Sequence, residues 1–133
     1  MAYMNQEQKK LLTPGIKAVL KKYGLKGTIG VWNYMSLVVN IWSGNINFNE
    51  NFCETFKNLH LKTLDYNPTY LQVNQYHLET QFSGTALACL KDLVEAMNIG
   101  NHDNSDIQID YFDIGWYINI NIGNWDKPYK FIA

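Results

Sequence analysis

Asp103, Asp106, Asp110 and Asp113 fall within eleven residues, and His102 stands beside the first of them. Carboxylates this dense invite ligation of a hard cation, general-base catalysis, or hydrogen bonding to a ligand. Their spacing does not match a calcium loop, which needs closely spaced oxygen ligands and a distal Glu. Asp103 and Asp106 also lie in the run from Asn101 to Asp106, whose turn chemistry makes capping of backbone N–H groups the plainer reading. His60, His77 and His102 share no zinc-ligand spacing with one another or with Cys53 and Cys89. The sequence holds no glycine-rich phosphate loop and no nucleophile elbow. A hydrolase using Asp106 or Asp110 with His102 is one alternative, and no metal or cofactor is expected.

A second group of residues suits binding rather than reaction. In Tyr117 to Ile122, the isoleucines Ile118, Ile120 and Ile122 alternate with Tyr117, Asn119 and Asn121. Alternation of period two places the isoleucines on one face and the ring and amides on the other. Nearby stand Tyr111, Phe112, Trp116, Trp125, Lys127 and Tyr129. Lys127 and Tyr129 bring a cation and a ring toward one ligand, with Trp125 as a stacking partner, or they form a strap over the sheet edge.

The elements that must position these residues follow from periodicity and punctuation. Thr13 is the expected N-cap of a first helix, with Pro14 at its first position and Gly24 as its stop. Gln6 to Leu12 reads as a short extra helix, its lysines a solvated face or an attraction for an anionic ligand. Gly27 to Met35 and Leu37 to Trp42 read as two strands joined by a turn near Tyr34-Met35-Ser36. Phe48, Phe52, Phe56 and Leu59 predict an amphipathic helix over Asn49 to Leu61. After a loop from Lys62 to Thr69, Tyr70 to His77 reads as a third strand. A helix opens at Ser83-Gly84-Thr85, carries Leu87, Leu90, Leu93, Val94 and Met97, and ends over Asn98 to Gly100.

Together the strands share an apolar face made of Ile29, Val31, Leu37, Val39, Ile41, Leu71, Val73, Ile118, Ile120 and Ile122. The expected fold is a single α+β domain in two layers, a mostly antiparallel sheet of about four strands with two to three helices on one face. The opposite face would carry Trp32, Tyr34, Asn40, Trp42, Gln72, Asn74, Tyr76, Tyr117, Asn119 and Asn121. A solvated sheet normally shows Lys, Glu and Thr. Rings interleaved with amides instead stack on a flat ligand and bond its edges, or fill a subunit interface.

Charge narrows the partners. All eleven basic residues are lysines, so no guanidinium fork is present for phosphate or guanine. Residues 1–62 hold eight lysines against three acids, and residues 63–133 hold three against nine. The net charge of −1 makes a nucleic-acid polymer a poor partner. No apolar run approaches a membrane span, and the polar start, Met1 to Lys10, is unlike a signal peptide, so a cytoplasmic protein is expected. Cys53 and Cys89 read as two buried free thiols.

The pattern Asp110-Tyr111-Phe112, Trp116-Tyr117, Ile120-Asn121-Ile122-Gly123 and Trp125-Asp126-Lys127-Pro128-Tyr129, with Leu20 to Thr28 ahead of two strands, resembles a family of small bacteriophage-encoded proteins. The likeness spans Ile16 to Tyr129. Phage proteins of this size and make-up include the Thoeris anti-defence and anti-CBASS sponges. The resemblance implies a homo-oligomer in the cytoplasm of the infected bacterial host. It would sequester a cyclic nucleotide or a cyclic ADP-ribose isomer between subunits without cleaving it. Such sponges grip phosphates with arginine; here lysines, backbone N–H groups or helix N-termini must substitute.

The ligand-binding residues expected are Trp32, Tyr34, Asn74, Tyr76, Tyr111, Phe112, Trp116, Tyr117, Asn119, Asn121, Lys127 and Tyr129. Trp116 and Tyr117 would stack on a purine, Asn119 and Asn121 would read base or ribose edges, and Lys127 would meet a phosphate. The alternative is a protein-binding inhibitor or assembly module using the same rings as interface anchors.

Overall fold

The computed structural model describes residues 4–63, 68–99, 101, 116–124 and 126–132. Helix α1 (Gln6–Lys22) begins at Asn5, whose side chain accepts from Gln8 N while Gln8 Oε1 accepts from Asn5 N. This reciprocal capping box starts the helix well before Thr13. Pro14 therefore lies inside one continuous 17-residue helix, not at the head of a second. A proline there removes a backbone bond and costs about 3 kcal/mol. The buried stripe Leu12, Ile16 and Leu20 runs through it and packs on β1 and α4, which offsets that loss.

Strands β1 (Leu25–Trp32) and β2 (Ser36–Gly44) form an antiparallel hairpin. Its turn holds Asn33 and Tyr34 in the left-handed region, both at φ 57°. Helix α2 (Phe48–His60) follows, capped by Asn47. It buries Phe48 and Thr55; Phe56 lies outside the core beside His60, and Leu59 is exposed, so its inward face is rotated from the one the phenylalanines suggested. Strand β3 (Leu71–Val73) is only three residues long, followed by the short α3 (Leu78–Gln81) and then α4 (Gly84–Met97). Strands β4 (Tyr117–Ile122) and β5 (Lys130–Phe131) complete the sheet.

The fold is α+β, with the helices and one sheet in two layers. The order is β1-β2-β4-β3, and β5 pairs with the end of β2. The sheet is mixed rather than mostly antiparallel. β4 and β5 run parallel to β2, whereas β1 pairs antiparallel with β2 and β3 with β4. Between β2 and β4 the chain makes a long helical crossover, the connection that parallel neighbours require. Gly123, at φ 75°, lets the chain leave β4 where a side chain would strike the backbone of Tyr129.

The apolar face is the one alternation predicts. Leu37, Val39, Ile41, Leu71, Ile118, Ile120 and Ile122 are buried, and Ile29, Val31 and Val73 pack partly buried against them. Ile16, Phe48, Leu90, Leu93 and Met97 cover this face from the helical layer. No helix among the described residues is long and apolar enough to cross a membrane.

Candidate ligand-binding face

Strand pairing dictates what the other side of the sheet presents, because paired residues share a face. Register across β1, β2 and β4 gives three outward rows. The first is Trp32, Ser36 and Tyr117; the second is Gly30, Val38 and Asn119; the third is Thr28, Asn40 and Asn121, extended by Gln72 of β3. Rows two residues apart along a strand are separated by about 7 Å.

The middle row is low. A Cβ built on Gly30 would meet nothing within 4 Å, so the space above it is open. A groove of about 580 Å³ results, floored by Gly30 and Val38 and walled by Trp32, Asn40, Gln72, Asn119 and Asn121. Trp32 is 63% exposed and Tyr117 46%, high values for rings on a folded domain.

The polar wall keeps hydrogen-bonding capacity. Asn121 Nδ2 donates to Asn40 Oδ1 at 3.0 Å. That bond leaves the Asn40 amine as a donor beside the Asn121 carbonyl as an acceptor, and swapping the two amides would leave the same pair. Adjacent donor and acceptor groups are what the edge of a nucleobase or a carboxamide needs. None of the five strands contains Asp, Glu, His or Cys. The strands thus supply rings, amides, hydroxyls and lysines to this face but no carboxylate, imidazole or thiol. Among the described residues no three His, Cys, Asp or Glu side chains converge as a metal site.

At the far end Lys127 Nζ stands 4.8 Å above the Trp42 ring. The β4–β5 connection places it there, through a bridge between Asn124 and Lys127.

Of the residues expected to bind ligand, Trp32, Tyr117, Asn119 and Asn121 come together here, with Lys127 near by. Trp116 does not. It lies one residue before β4, is 7% exposed, and its indole donates to Met97 O at 3.0 Å. Asn101 holds its backbone from both sides, accepting from Trp116 N and donating to Trp116 O. Tyr129 is also a core residue. It is 6% exposed, meets Phe48 edge-on at 5.5 Å, and donates its hydroxyl to Ile46 O. Burial pushes its phenol up to about 12.

Asn74 and Tyr76 leave the sheet because β3 stops at Val73. Asn74 Oδ1 accepts from Tyr76 N in a tight turn, and Tyr76 borders a separate hollow with His77, Glu79 and Lys91. Tyr34 sits in the β1–β2 turn, beyond the rows. Tyr111, Phe112, Trp125, His102 and Asp103, Asp106, Asp110 and Asp113 lie outside the described residues.

Asn40, Trp42 and Gln72 were legible on this face from alternation. Val38 was legible there too; Gly30 was not, because the floor of a groove is recognised only by what stands around it. No family model, no curated protein and no solved structure matches the chain.

Proposed function

We propose that this face binds a planar nucleotide signal, of the cyclic nucleotide or cyclic ADP-ribose type, and holds it without cleaving it. This is the sponge mode of a bacteriophage anti-defence protein. The observation that carries the reading is the free donor and acceptor of the Asn40–Asn121 pair, two rows along the same groove from exposed Trp32 and Tyr117. A base stacked on either ring would lay its edge over Asn119, one row along, and each such stack contributes about 1–3 kcal/mol. Strands free of carboxylate, histidine and thiol suit capture better than turnover. The groove is shallow, so a second copy of the chain would close it, and a homo-oligomer is part of the proposal.

The test is capture and release. The protein is incubated with cyclic dinucleotides and cyclic ADP-ribose isomers, separated from free ligand, and heat-denatured. Intact ligand in the supernatant, lost in Trp32→Ala, supports sequestration; an altered product makes the protein an enzyme. Absence of any thermal shift with the whole panel would instead favour the protein-binding reading, for which the exposure of Trp32 and Tyr117 is the specific support.

A further inference from the structure

The outward rows continue past the amides into a cluster of lysines. A β-bulge between Lys26 and Gly27 resets the β1–β2 register, so Lys26 pairs with Ser43. On the other side of β2, Ser43 pairs with Lys130 of β5. The residue before each of these lysines points inward: Leu25 is buried before Lys26, and Tyr129 is buried before Lys130. One row therefore reads Lys26, Ser43 and Lys130, with Lys127 close by over Trp42.

All three lysines are exposed and none makes an ion pair among the described residues. The nearest carboxylate in sequence is the exposed Asp126, beside Lys127. Lys26 also borders a second groove, of about 470 Å³, with Lys17 and Lys21 of α1 and no acid in its lining. Positive potential thus wraps the β1 edge of a protein whose overall charge is −1. Three ammonium groups from two chain segments, next to a hydroxyl, can together meet an anion with several oxygens.

We propose that the Lys26–Ser43–Lys130 row, with Lys127, is a phosphate subsite that takes a diphosphate or phosphodiester group of a nucleotide ligand. This rests on the recognition face described above and gives it direction. Ser43 lies three residues beyond Asn40 along β2, about 10 Å, a gap that a ribose and its first phosphates can bridge. The base end is then at Asn40, Asn119 and Trp32, and the anionic end at the lysines. Lysine ammonium groups act as point charges here, without the bidentate geometry of arginine, so salt should weaken binding strongly.

The experiment titrates the 15N-labelled protein with pyrophosphate, adenosine and ADP separately, in wild type and in a Lys26→Gln/Lys130→Gln double variant. Both lysines are exposed, so the variant's amide spectrum should report an intact fold. Saturable pyrophosphate shifts confined to Lys26, Ser43, Lys127 and Lys130, with roughly tenfold weaker pyrophosphate and ADP binding in the double variant and unchanged adenosine binding, are expected. Pyrophosphate shifts spread over all surface lysines, or equal ADP affinity in the double variant, would overturn the subsite. Failure of adenosine to perturb Trp32, Tyr117 or Asn119, while pyrophosphate still binds at the lysine row, would overturn the base-recognition reading and leave the subsite standing.

Discussion

Two tryptophans that look alike in the sequence have opposite surroundings, and substitution separates them. Trp116 fills the core and its indole N–H has one partner, Met97 O. Trp116→Ala should cost about 3–5 kcal/mol in urea unfolding. Trp32 stands in solvent at the groove, so Trp32→Ala should change stability by no more than about 0.5 kcal/mol while removing ligand capture. If the two variants lose stability equally, Trp32 belongs to the core and the face loses its ring.

Cys89 offers a second residue-scale prediction. Burial, helped by the charge of Asp92, pushes its thiol from 9.0 up to about 12. The folded chain therefore holds this proton more tightly than the unfolded chain does. The resulting stability is complete below pH 9 and disappears as pH climbs toward 12. Tyr129 adds a similar loss from 10.0 upward. Denaturant melts between pH 8 and 11 should show falling stability, with a shallower fall between pH 9 and 10 in Cys89→Ala. A thiol reagent should reach the half-buried Cys53 in the native protein and Cys89 only on unfolding.

At the scale of elements, α1 is the clearest conflict between local signals. Thr-Pro is a good helix start, yet Asn5 begins the helix and Pro14 is carried inside it. Asn5→Ala should cost about 1 kcal/mol through loss of the capping box, whereas Pro14→Ala should raise stability by about 1 kcal/mol or more because a backbone bond is regained. Circular dichroism melts of both variants check the pair. A destabilised Pro14→Ala would mean that the proline is required by packing.

Strands show why legibility was uneven. Alternation in Tyr117 to Ile122 was unambiguous, and the structure keeps every residue of it on the expected side. Tyr70 to His77 carried the same alternation over a longer run, but only Leu71 to Val73 pairs. Asn74 then bonds the backbone of Tyr76 and turns the chain. An Asn side chain offering a local partner competes with the ladder, and periodicity alone cannot register that competition.

For the whole molecule, strand order matters more than any single strand. Placing β4 against β2 brings Asn121 to Asn40 and Asn119 to Val38. It also leaves β1 at an edge with Lys26 outward, beside Lys17 and Lys21 of α1. The shallow groove predicts association: light scattering on the eluted protein should give a mass at least twice that of one chain, 15.4 kDa. A strict monomer with and without ligand would remove the between-subunit pocket, though not the face itself.

Side-chain periodicity is a property of neighbouring residues, so within the paired parts of the strands the sequence by itself determined which side chains point to the core and which rings and amides point away. The same information cannot say how far one strand slides against another, or whether a ring just outside a strand finds a buried carbonyl. Those outcomes depend on contacts between segments far apart in the chain. Tertiary structure alone therefore decided that Trp116 and Tyr129 are core residues, that Asn40 meets Asn121, and that Lys26 and Lys130 flank one serine.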